Sequence, residues 1–190
     1  MITTKVEIEN YLLTTIDPSF DTQLALWISA VSQYINTLAN RYVIAEDTAQ
    51  NYTYTGNGSS VLFIDDFNEI VSVKVNDITL SPSDYVAKPF NLPYKNQLRY
   101  QSNTAWSNYP EGNVVVNGKR GMFDPDAIPE DLRFASTVLV AGIIQSSSNE
   151  NKDVQSETIG RYSVSYRTDT QKIDYKNAIE IIKSYRRSAI

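Results

Sequence analysis

The chain has 190 residues, 42% hydrophobic and 21% charged, a composition that supports a folded core and excludes disorder of the whole polypeptide. It contains no Cys and no His, which removes disulfides, thiolate nucleophiles, Ser-His and Cys-His pairs and nearly all zinc chemistry, and leaves an enzyme only carboxylate, Lys or Tyr groups. A net charge of −5 argues against a protein that grips phosphate backbones, although an acidic wall suits a conduit through which DNA slides with little adhesion.

In chain order, Met1 to Lys5 enters an amphipathic pattern without the apolar core of a signal peptide, and no apolar run is long enough to cross a bilayer. The chain is therefore expected to stay in the compartment where it is made. Thr4-Lys5-Val6-Glu7 fits a capping box and predicts a first helix to about Leu13. Asp17-Pro18 then predicts an N-cap and first-turn proline for a second helix to about Arg41. Its apolar stripe is Phe20, Leu24, Trp27, Ile28, Val31, Ile35, Leu38 and Tyr42.

From about Asn51 the hydrophobic period changes to two and turn residues crowd in, predicting a β region to about Met122. Asn51–Thr55 and Ser60–Ile64 flank Gly56-Asn57-Gly58 as a hairpin. Ile70–Val75, Ile78–Leu80, Asp84–Ala87, Gln97–Tyr100 and Asn113–Asn117 are the remaining strands, and Trp106 and Tyr109 dock a polar stretch from Ser102 to Gly112 onto the sheet. Pro129 with Glu130 and Asp131 opens a third helix that carries Leu132, Ala135, Val138, Leu139 and Ile143 to about Gln145. A polar, mobile loop is expected from Ser146 to Ser156, and a last helix from about Asp174 to Arg187.

Between those two helices, Ser156 to Tyr166 reads as a single strand, with Tyr162, Val164 and Tyr166 alternating with Arg161, Ser163 and Ser165. Its backbone groups need partners, which either the central β region or another copy of the chain supplies. The second choice makes this an assembly protein. Thirteen Tyr residues also suit interfaces, where Tyr gives amphipathic contact area at low entropic cost.

Catalytic and metal candidates are weaker than their structural alternatives. Asp124 and Asp126 with Glu130 and Asp131 lack the glycine and ligand spacing of a calcium loop and read as an acidic helix start. Asp65, Asp66 and Glu69 read as a solvated turn. Gly118-Lys119-Arg120-Gly121 reads as a small basic turn, too little to hold nucleic acid. No cofactor, metal or catalytic residue is expected. The predicted fold class is α+β: a helical bundle domain (1–50 and 124–147) carrying an inserted antiparallel β domain (51–123), with an extended strand and helix in a C-terminal assembly segment (148–190).

Four stretches resemble the head-tail connector (adaptor) proteins of tailed double-stranded DNA bacteriophages: the capped first helix with Asp17 to Tyr42, Tyr54-Thr55-Gly56-Asn57-Gly58-Ser59, Ile128-Pro129-Glu130-Asp131-Leu132, and Glu157-Thr158-Ile159-Gly160-Arg161-Tyr162-Ser163-Val164. The resemblance implies a non-enzymatic virion protein, made in the bacterial host cytoplasm. It would sit in the neck as a dodecameric homo-oligomeric ring between the portal protein and a stopper or tail-completion protein. DNA would pass through without specific binding and no membrane would be involved. About twelve copies at −5 each would place roughly −60 formal charges around the channel. The expected subunit or partner contacts are Glu157, Ile159, Gly160, Tyr162, Val164 and Tyr166, through strand addition across the subunit boundary, and Tyr185, Arg186 and Arg187 against the portal. The competing reading is a tail or baseplate module that binds host-surface carbohydrate through Trp106, Tyr100 and Tyr109.

Overall fold

A computed structural model of the chain describes residues 1–102, 104–147, 155–159, 162–166 and 169–187. Contacts divide the chain into two units, Met1–Asn40 with Ile128–Ile190, and Arg41–Ala127. Among the described residues the first unit is helical apart from one hairpin, and the second is built on a sheet.

The helical unit opens with α1 (Lys5–Leu12), whose capping box is formed as expected: Thr4 Oγ1 accepts from the Glu7 N–H, and the Glu7 carboxylate accepts from the Thr4 N–H at 2.7 Å. Asp17 caps a 3₁₀ turn (Pro18–Phe20) that leads into α2 (Asp21–Ala39). Leu24, Ile28, Val31, Ile35 and Ala39 form the buried stripe of α2, each contributing roughly 1.5–3 kcal/mol for the larger side chains. Trp27 and Leu38 are half-buried, and Phe20 and Tyr42, which the periodicity assigned to the same stripe, are exposed. They lie beyond the helix proper, where the helical period no longer aims them at the core.

At the centre of this unit is α3 (Glu130–Ser147), packed against α1, α2 and α4 (Asp169–Ser184). Ten of its residues in a row or at helical spacing are buried, from Leu132 to Ile143, and Thr137 shares a 2.7 Å hydroxyl hydrogen bond with Thr3. Both Ser146 and Ser147, expected in a loop, form the last turn of this helix and return their hydroxyls to Ile143 and Ile144 carbonyls. The rest of the expected mobile loop lies largely outside the described residues.

The β unit contains β1 (Gln50–Tyr54), β2 (Val61–Val75), β3 (Ile78–Thr79), β4 (Tyr85–Lys88), β5 (Lys95–Tyr100) and β6 (Val114–Arg120). Their spatial order is β1-β6-β2-β5-β4, with β3 on the end of β2, and every pairing is antiparallel. Leu62, Ile64, Phe67, Val73, Leu98, Trp106, Val114 and Val116 make its core.

Two local expectations are corrected here. The segments around Val61–Ile64 and Ile70–Val75 are one 15-residue strand, bent by register shifts between Phe63 and Phe67 and between Phe67 and Glu69, so its first part pairs with β5 and its second with β6. Gly56-Asn57-Gly58 is not a hairpin turn, because β1 pairs with β6 and not with β2. The segment is seated instead on the Trp106 loop: Gly56 donates to Asn113 Oδ1 at 3.1 Å, and a Cβ there would collide with the Ser107 carbonyl. Hydrophobic alternation specifies which side of a strand is buried but not which strand lies beside it.

The ends of the β unit run side by side. Met122 and Phe123 donate to the Tyr42 and Val43 carbonyls at 3.0 Å, and Ala45 donates to the Phe123 carbonyl at 2.8 Å. Gly121, at φ 137°, permits this approach, since a Cβ would meet Ile44 and Ala45 backbone.

Candidate assembly interface

Near the C-terminus, β7 (Gln155–Ile159) and β8 (Tyr162–Tyr166) form a two-stranded antiparallel sheet. Glu157 opposes Val164 and Ile159 opposes Tyr162. The expected single strand is thus two strands that pair with each other. The missed signal is the two-residue Gly160-Arg161 link, of the Gly-X kind that short hairpins favour. Gly160 itself, one of the expected contact residues, lies outside the described residues.

Pairing satisfies one edge of each strand and leaves one outer edge apiece. The strand β8 runs beside α3 and α4, whereas the outer edge of β7 has no strand partner among the described residues. An isolated two-stranded hairpin is marginal in water, and an uncovered edge is a template for another strand. Among the expected strand contacts, Glu157 and Ile159 lie on β7, while Tyr162, Val164 and Tyr166 lie on the strand beside the helices.

Of the three expected C-terminal contacts, two are tied into their own unit. Tyr185 donates its hydroxyl to both Asp131 oxygens at 2.9 and 3.0 Å, and burial together with this hydrogen bond pushes its pKa up to about 12. Half-buried Arg187 donates its backbone N–H to the Ala39 carbonyl at 3.0 Å. Arg186 is exposed. On α4, Tyr175, Ala178 and Ile182 are buried, which makes the helix part of the bundle.

In the β unit the expected polar turns are strand positions. Asp66 is 3% exposed, and Arg41 grips it through Nε to Oδ2 at 3.0 Å and through a second guanidinium nitrogen to Oδ1 at 3.2 Å. Asp65 accepts from the Tyr54 hydroxyl, and Glu69 faces Lys119 at 3.4 Å. Arg120, expected in a basic turn, ends β6 between the rings of Tyr42 and Tyr52, 4.0 and 4.4 Å from their centroids, with Glu46 and Asp65 within 3.8 Å. Sequence periodicity gave no hint of these pairs, since Arg41 and Asp66 are far apart in the chain. At the third helix start, Asp124 accepts from the Asp126 N–H and Asp131 is held by Tyr185. Among the described residues no group of three or more His, Cys, Asp or Glu is placed to hold a metal.

Trp106 is 0% exposed, stacked at a tilt 4.3 Å from Tyr100, and donates its indole N–H to the Ser60 carbonyl. It docks the 102–112 loop as expected. Tyr109 does not, being 81% exposed. A buried indole offers no face to a sugar ring, so the carbohydrate platform is not assembled.

A family model described as head completion protein matches residues 1–188. The fold is similar to a chain in the neck of an empty gene transfer agent (GTA) particle computed with C6 symmetry, with TM-score 0.63 and 13% identity over 97% of this chain and 89% of that one. A chain in the neck of the native particle computed with C12 symmetry aligns with TM-score 0.60 and 12% identity, covering 97% and 88%. A chain of the native particle's virion aligns with TM-score 0.59 and 12% identity, covering 90% and 79%. No curated protein matches the chain. No helix among the described residues is long and apolar enough to cross a membrane.

Proposed function

The chain belongs to the head completion protein family, and on that premise we propose that it is a structural subunit of a phage neck. In this reading it forms a closed ring, of twelve copies, on the portal protein. The ring joins the DNA-filled head to a stopper or tail-completion protein and performs no catalysis. The observation that carries it is the outer edge of β7, which has no strand partner among the described residues, on a hairpin too small to be stable alone. A strand or extended segment of the next subunit completes that edge by main-chain hydrogen bonds.

Charge distribution supports a division of labour. Residues 161–190 hold seven Lys or Arg and three Asp or Glu, so this stretch is +4 while the remainder of the −5 chain is −9. The acidic remainder suits a channel that repels DNA, and the basic end, with Arg186 exposed on it, suits a docking face on the portal.

Proline scanning of β7 tests the reading. Adjacent residues in a strand direct their N–H groups to opposite edges, so of Ser156→Pro and Glu157→Pro one removes an outward donor and the other a donor within the hairpin. The expected result is loss of ring formation with retained helical circular dichroism. Rings from both variants would overturn the edge-completion mechanism.

A further inference from the structure

Among the described residues, two exposed surfaces, one on each unit, are complementary. On the β unit, a groove of ≈ 270 Å³ is lined by Val86, Lys88, Phe90, Arg99 and Tyr100 with flanking polar residues, and no carboxylate lines it. Register places Val86 opposite Arg99 on β4 and β5, so Val86, Lys88 and Arg99 share one face of the sheet. Neither Lys88 nor Arg99 has an ion pair among the described residues, whereas Arg41, Lys119 and Arg120 in the same unit each face a carboxylate. The groove's aromatic wall is Phe90, 68% exposed, with the Lys88 ammonium 5.5 Å from its ring. Its loop is pre-set, because Lys95 donates to the carbonyls of Pro89, Phe90 and Leu92 at 2.7, 3.4 and 3.1 Å.

On the helical unit, the connection from α1 to α2 displays two large apolar side chains. Leu13 is 92% exposed and Phe20 is 56% exposed. Leu13 holds the left-handed conformation, φ 53° and ψ 37°, that Gly or Asn would adopt at lower cost. A large apolar residue at once strained and bare points to a contact outside the subunit. Asp17 and Asp21, both exposed, flank Phe20; Lys5 lies 2.6 Å from Asp21 and 3.9 Å from Glu9, so this corner carries three carboxylates against one cation.

We infer that Phe20, with Asp17 and Asp21, of one copy seats in the Lys88–Phe90–Arg99 groove of the next, and that this is a second contact closing the ring. The inference rests on the ring reading above. Charge complementarity selects a second copy of this chain as occupant: an aromatic knob between carboxylates meets an aromatic groove between cations. A cavity of about 150 Å³ accepts benzene, so a phenyl ring fits the volume available. Different patches on the two partners make the contact heterologous, the kind that generates a closed ring when its rotation permits.

The absence of cysteine makes the test clean. A Ser19→Cys, Gln101→Cys double variant, which keeps Phe20 and Phe90 and places a thiol beside the knob and another in the groove lining, oxidised at protein concentrations where the unmodified chain forms rings, should give a covalent ladder of many subunits. Each single variant should give at most dimers. Arg99→Glu should raise the protein concentration needed for assembly at least about tenfold. Rings that form normally in the double variant without a ladder overturn this contact and leave the ring reading standing. An unmodified chain that stays monomeric by native mass spectrometry, alone and with portal, overturns both. Binding of a short DNA duplex that Lys88→Glu and Arg99→Glu abolish would assign the groove to phosphate and overturn the contact.

Discussion

At the scale of single residues, stability concentrates where charge is buried. The Arg41–Asp66 pair is nearly sealed from water, with side chains 8% and 2% exposed, and Asn96 and Tyr94 add a hydrogen bond and a stacked ring. Removing one partner strands the other charge, so Arg41→Ala or Asp66→Ala should cost about 3–5 kcal/mol in urea denaturation, while a combined Arg41→Met, Asp66→Leu change should cost less. The tyrosines make a separate statement about pH. Burial, aided by hydrogen bonds to Asp174, Glu46 and Asp131 respectively, pushes Tyr11, Tyr52 and Tyr185 from 10.0 up to about 12. A pKa raised on folding means the folded state holds its protons longer, so this stabilisation is complete below pH 10 and is lost as pH rises through about 12. Tyrosinate absorbance should show these residues ionising late and together with unfolding. Ionisation of all thirteen tyrosines near pH 10 in a chain that stays folded would contradict the burial described.

At the scale of elements, short-range chemistry was readable and long-range pairing was not. The Thr4–Glu7 capping box, the Asp17 cap and the acidic start of α3 are set by neighbours within four residues, and each is present, with Asp17 capping the 3₁₀ turn that precedes α2 instead of α2 itself. The apolar positions named on α3 are all buried. What the sequence hid depends on distant partners: the insertion of β6 between β1 and β2, the merging of two segments into β2 across Asp65 and Asp66, and the fold-back of β7 on β8. A bulged strand reads locally as a turn because polar residues interrupt its alternation. The docking of the Gly56 segment is testable at this scale. Gly56→Ala drives a methyl into the Ser107 carbonyl and should cost about 1–3 kcal/mol, with Trp106 fluorescence shifting to the red as its loop lifts. Unchanged stability and emission would show that the loop is held by other contacts.

At the scale of the whole molecule, the chain is a helical unit and a sheet unit with three surfaces left uncovered among the described residues. The open edge of β7 and the exposed Leu13 and Phe20 lie on the first, and the cationic groove lies on the second. The four sequence stretches resembling phage connectors agree with the family match over residues 1–188. The contact residues followed less directly, since Tyr185 and Arg187 serve their own bundle and leave Arg186 as the exposed cation of the three. Truncation of α4 would strip Tyr175, Ala178 and Ile182 from the core and confound docking with folding. Arg186→Glu avoids this and should weaken portal attachment at low salt with no change in thermal midpoint. The central claim, that this chain closes into a ring on the portal, is tested most directly by electron microscopy of the purified chain mixed with portal. Portals capped by a continuous ring of this subunit are the expected image; bare portals beside free monomers would rule out ring closure.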